Sequence, residues 1–132
     1  MKAFSMLSAA TAVILAGLTG SALAAGDAGS GEKVFAKCKA CHKVGDGAKN
    51  GIAPELNGLD GRKAASVEGY NYSDALKESG ITWNEASFAE FIKNPKAKVP
   101  GTKMVFQGLP SDKEAADVWA YLSSFSADGM AK

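Results

Sequence analysis

The sequence is poor in the residues from which most metal sites, disulfide scaffolds and hydrolytic centres are built. Among 132 residues there are 2 Cys and 1 His. Two cysteines exclude a multi-disulfide framework. A single histidine excludes a His-rich metal site and any two-histidine catalytic arrangement. An excess of one charge sign is also missing. The 15 Lys and Arg face 14 Asp and Glu, so bulk charge makes no case for nucleic-acid binding. Strand signals are scarce, with few β-branched runs and no alternation. What remains is 46% apolar and 22% charged, enough for one globular domain and too apolar for disorder.

The one long apolar run is N-terminal. Lys2 supplies a positive start, and Ala9, Ala10, Val13, Ile14, Leu15 and Leu18 follow. Gly17 and Gly20 precede Ala22-Leu23-Ala24. This is the layout of a secretory signal, with cleavage expected after Ala24 or, close behind, after Ala25. A retained anchor is the alternative, but the run is short for a span of ~20 residues. The expected division is a removed segment, 1–24, and a domain, 25–132, exported to the periplasm.

Helix signals dominate the rest, and the expected class is all-α, with about four to five helices. Ser30 can cap a helix to about Lys39, with Gly31, Phe35 and Cys38 on one face. Ser73 can cap a short one stopped at Gly80. Thr82 with Glu85 offers a capping box for a helix to about Lys93, ended by Pro95. Ser111 with Glu114 offers another, to about Phe125. Two Gly- and Pro-rich stretches, 44–72 and 94–110, resist assignment. Long loops bury little by themselves, so something besides side chains should fill the centre.

Cys38-Lys39-Ala40-Cys41-His42 supplies the candidate. C-x-x-C-H is the spacing of c-type haem attachment. Cys38 and Cys41 are three positions apart and Cys38 and His42 four, so on a helical turn all three project to one side. Two thiols can then take the haem vinyl groups while the imidazole meets the iron. The alternatives are a thioredoxin-type motif, which lacks a βαβ setting, a structural zinc site, which lacks further Cys or His, and a plain disulfide. A second axial ligand follows by elimination. Met1 and Met6 leave with the signal, Met130 sits in a tail expected to fray, and Met104 lies in a Pro/Gly loop. The bland reading of Met104 is a core gap-filler. His42/Met104 ligation closes both axial positions and favours electron transfer over catalysis.

With these residues in order, residues 31–122 resemble a class I cytochrome c of the mitochondrial type, in bacteria the periplasmic cytochrome c-two group. Gly31-x-x-x-Phe35 resembles the family's N-terminal helix, which crosses the C-terminal one, here at Val118, Tyr121 and Leu122. Ala53-Pro54-Glu55-Leu56-Asn57-Gly58-Leu59-Asp60-Gly61-Arg62 resembles the loop whose proline carbonyl holds the axial histidine. That implies a tautomer-setting role for Pro54 and a propionate contact for Arg62. The resemblance also implies propionate donors at Tyr72, Trp83 and Thr102, and a cover for the haem edge at Phe106. Residues 94–106 resemble the family's methionine loop almost residue for residue. Two positions depart from it: Phe91 replaces a tyrosine and Leu76 an asparagine found in many relatives, which leaves the Met side drier.

Charge is sorted along the chain. Residues 31–49 sum to +3, 50–92 to −4, 93–103 to +4 and 110–132 to −2. The two positive segments flank the haem motif and the Met loop. The resemblance implies docking lysines at Lys37, Lys96 and Lys103, with Glu78 and Glu114 expected on other faces; a merely solvated lysine face is the plainer reading. The implied function is a monomeric single-electron shuttle from a bc-type quinol oxidoreductase to an oxidase or photosynthetic reaction centre. The alternatives are a carrier dedicated to one periplasmic dehydrogenase or reductase, and a small haem peroxidase.

Overall fold

The computed structural model describes residues 25–132, so the expected signal segment lies outside the described residues. Five helices occur among them: α1 (Ala28–Phe35), α2 (Asp74–Glu78), α3 (Glu85–Lys93), α4 (Pro95–Lys98) and α5 (Asp112–Ser123). No strand joins them; the only extended pairings described are the isolated bridges Lys63 to Thr82 and Phe125 to Ala131.

Two helix starts differ from the sequence reading. α1 is capped by Asp27 rather than Ser30, whose hydroxyl instead donates to the Asp27 carboxylate at 2.8 Å. Asp27 is pinned there because its N–H donates to the Asp117 carboxylate of α5 at 2.8 Å. The start of α1 is therefore docked on α5. α3 is capped by Asn84, in a reciprocal box with Ser87, and not by Thr82. Thr82 is held extended by its bridge to Lys63. Ser73 and Ser111 cap α2 and α5 as their positions predict. α4 was not expected: Asn94 caps it and Pro95 opens it, a position where a missing N–H costs nothing.

The frame is the crossing of α1 on α5. Gly31 makes it possible, since a Cβ there would lie 1.8 Å from the Asp117 carbonyl oxygen. Phe35 then packs on Tyr121 with ring centroids 5.5 Å apart. Val118 and Leu122 lie beneath, each 1% exposed. α3 joins through Phe88, whose ring lies 5.3 Å from that of Trp119. The C-terminal tail does not fray. The Lys132 N–H donates to the Ser124 carbonyl at 2.8 Å and that of Ser126 to the Met130 carbonyl at 2.9 Å. Gly129 sits so close to Gly45 that a Cβ would approach its carbonyl to 2.2 Å.

Candidate haem site

α1 ends at Phe35, short of the expected Lys39, but the chain keeps turning. Cys38 N–H donates to the Phe35 carbonyl at 2.7 Å, and Cys41 and His42 N–H donate to the Cys38 carbonyl at 3.1 and 2.8 Å. These tight turns carry Cys38, Cys41 and His42 to the wall of one cavity of about 260 Å³. Both thiols are free, and burial raises the Cys38 pKa above the usual range.

His42 Nδ1 lies 2.8 Å from the Pro54 carbonyl oxygen. A carbonyl only accepts, so Nδ1 carries the proton and Nε2 keeps a lone pair for a metal. Burial pulls the imidazole pKa down; the Pro54 carbonyl works against that and the Arg62 charge reinforces it. A neutral ring is the ligating form.

Segments distant in sequence complete the lining. From 54–62 come Pro54, Leu56, Leu59 and Arg62; Tyr72, Leu76 and Trp83 follow; the Met loop adds Thr102, Lys103, Met104, Val105 and Phe106. Arg62 and Trp83 are brought side by side by backbone bonds, Trp83 N–H to the Arg62 carbonyl and Gly61 N–H to the Trp83 carbonyl, both 2.8 Å. Trp83 stacks edge-on against Phe91 at 5.1 Å. The Tyr72 hydroxyl accepts from Val67 N–H at 3.2 Å, and its own proton has no acceptor among the described residues. Thr102 Oγ1 accepts from Met104 N–H at 3.3 Å.

Met130, the rival ligand, is not in the cavity. It is 54% exposed on the folded-back tail, while Met104 lines the wall. Phe91 and Leu76 line the same cavity as Met104. Of the three lysines, Lys37 and Lys103 lie on the cavity's rim, whereas Lys96 borders a neighbouring surface hollow with Val105 and Phe106. Glu114, expected on another face, lies 3.8 Å from Lys37.

Sequence reasoning missed two residues here. Glu55 lies 3.6 Å from Arg62. Asn57 is buried and clamps Gly45 through its amide oxygen and nitrogen, at 2.8 and 2.9 Å. Their polarity inside an otherwise apolar P-E-L-N-G-L run was the available signal.

The donor set fits a covalently held haem: two thiols and one oriented imidazole at a single apolar cavity, with Arg62, Tyr72, Trp83 and Thr102 among the polar side chains on its lining that could meet carboxylates. Comparison with known proteins agrees. A family model described as Cytochrome c matches residues 28–126. The chain is 66% identical over 132 residues to cytochrome c-554 of Methylosinus trichosporium, covering 100% of both. It is 60% identical over 105 residues to cytochrome c2 of Rhodoblastus acidophilus, covering 80% of this chain and 98% of that one. Among solved structures, cytochrome cH from Methylobacterium extorquens superposes with a TM-score of 0.69 at 51% identity, covering 74% of this chain and 97% of that one.

Proposed function

This chain belongs to the cytochrome c family, and we propose that within it the protein is an exported single-electron carrier using His42 and Met104 as axial iron ligands. The family binds haem c covalently, and its members carry electrons rather than catalyse reactions, so the peroxidase alternative falls away. When bound, the haem supplies an iron that takes up and gives back one electron.

The residues divide the remaining work. Cys38 and Cys41 would hold the group through thioethers. Pro54 keeps the His42 proton on Nδ1, leaving Nε2 to the iron. Arg62, Tyr72, Trp83 and Thr102 would meet the propionates, which need charge-assisted or hydrogen-bonded partners once buried. Phe106 and the apolar lining exclude water from the Met104 side. No described helix is long and apolar enough to cross a membrane. The expected N-terminal signal supports export to the periplasm, and the reading takes Lys37, Lys96 and Lys103 as the docking lysines. The reading takes a bc-type complex as donor and an oxidase or reaction centre as acceptor.

The single supporting observation is the convergence of Cys38, Cys41, His42 and Met104 on one cavity. Acid–acetone extraction is expected to leave the haem with the polypeptide; haem in the organic layer would refute covalent attachment. Met104→Ala is expected to abolish the far-red sulfur-to-iron band of the oxidised form and open the iron to carbon monoxide. A retained band would refute the Met104 assignment.

A further inference from the structure

A second charge stands behind Arg62, and nothing in the proposed site uses it. Glu55 follows Pro54 directly, yet its side chain is only 19% exposed. One carboxylate oxygen accepts from Asn57 N–H at 2.6 Å, and the other lies 3.6 Å from Arg62 Nη1. The same Nη1 donates to the Asn57 carbonyl at 3.0 Å. Asn57 is anchored in turn to Gly45, three residues beyond His42. Glu55, Asn57 and Arg62 thus form a closed polar set on the loop that also carries Pro54. Arg62 reaches the cavity and Glu55 does not line it. The Arg62 side chain, 14% exposed, lines the cavity with a carboxylate already beside its guanidinium.

That arrangement has an electrostatic consequence. A guanidinium with a near-contact counter-charge presents less net positive charge to an anion, and in a half-buried site the difference is poorly screened. A fixed negative charge near a redox centre also favours its more positive, oxidised state. We propose that Glu55 is a positioning residue for the haem site, which fixes the Arg62 fork and holds the reduction potential below the value Arg62 alone would set. Both roles presuppose Arg62 as a propionate partner in an electron carrier, as proposed above.

Equilibrium redox titration of the haem-loaded protein against mediators of fixed potential tests this. Wild type should show one reversible one-electron couple; without it, the electron-carrier reading itself falls and takes this proposal with it. Glu55→Gln keeps the size and an acceptor for Asn57 N–H but removes the charge. It is expected to shift the reduction equilibrium several-fold toward the reduced form, tenfold corresponding to about 59 mV for one electron. The shift should persist at high salt. Glu55→Asp keeps the charge and should stay near wild type, and Glu78→Gln, at an exposed site on α2, should change little once salt is raised. A purely structural Glu55 would predict a lower melting temperature with an unmoved potential, or equal shifts for Gln and Asp; either result overturns the proposal. Should Glu55→Gln not accumulate as holoprotein, Glu55→Ala is titrated instead, with the same expected direction and the same refuting result.

Discussion

Asp117 is the buried carboxylate that ties the start of the domain to its end. It is 4% exposed, accepts from Asp27 N–H at 2.8 Å and from Lys113 Nζ at 2.7 Å. The Asp27 backbone bond first, and then the Lys113 bond, hold its pKa below the ordinary carboxylate value. The Asp27 carboxylate is the other charged group felt across the α1–α5 contact, and it too is lowered, mainly by the Ser30 hydroxyl. A carboxylate depressed in the folded state stabilises above the unfolded pKa of about 3.9, and that contribution is lost as pH falls through the folded value. Asp117→Asn is therefore expected to melt lower than wild type at neutral pH. The gap should close as the pH drops from about 4 downward, where wild type loses the contribution and the variant has none to lose. Thermal melts of the holoprotein across that range check it; a gap independent of pH would place the effect in packing rather than charge.

At the level of elements, the α1–α5 crossing can be tested by two substitutions of one kind on the same helix. In a helix interior, Gly to Ala gains about 1 kcal/mol of intrinsic propensity. Gly29 is the second residue of α1, in its first turn, so the gain there is smaller, but nothing opposes it: an added Cβ meets only the Asp27 carboxylate, at 3.6 Å. At Gly31 it would sit 1.8 Å from the Asp117 carbonyl oxygen and 3.0 Å from Tyr121 Cβ. The helices must part, and overpacking of that sort costs about 1–3 kcal/mol. Gly29→Ala should raise the melting temperature slightly and Gly31→Ala should lower it by several degrees; a Gly31→Ala protein as stable as wild type would mean that the helices do not cross there. Periodicity put Gly31 and Phe35 on one helix face, and the family resemblance implied that this face crosses the C-terminal helix. The helix starts were less so. Ser30 and Thr82 are sound caps by local chemistry, but Asp27 is fixed by Asp117, ninety positions away, and Thr82 is held extended by Lys63. Long-range partners of this kind leave no local trace. The haem motif was legible for the opposite reason, since all of its geometry lies within five consecutive residues. Met104 needed the absence of other ligands, and Glu55 needed the fold.

For the molecule as a whole, lysines that are equivalent in the sequence become distinct. In the +4 segment, Lys93 pairs with Asp112 at 2.9 Å and Lys98 with Glu90 at 2.5 Å, so their charges are largely met within the fold. Lys96 and Lys103 have no carboxylate partner among the described residues, and Lys103 donates only to the Asn71 carbonyl, at 3.2 Å. Lys37 is intermediate, 3.8 Å from Glu114 and still 56% exposed. On the proposed docking reading, unpaired charge beside the cavity would steer a partner, raising encounter rates that fall as salt screens them. Lys96→Glu and Lys103→Glu should therefore slow electron transfer from a physiological donor at low salt. The difference should fade toward 1 M, where the Debye length is ~3 Å. Once salt screens these exposed charges the midpoint potential should hardly move, and stability should change by no more than about 0.5 kcal/mol, as for most surface substitutions. Glu114→Gln provides the sharper test. Glu114 is not a remote control but the counter-charge of Lys37, so removing it frees that lysine and should speed association at low salt, whereas Glu78→Gln should do much less. Stopped-flow rates measured against ionic strength decide between the outcomes. If Glu114→Gln leaves the low-salt rate unchanged while Lys103→Glu lowers it, docking uses the Met-loop side alone. If neither moves it, the lysines are a solvated face and the partner approaches elsewhere.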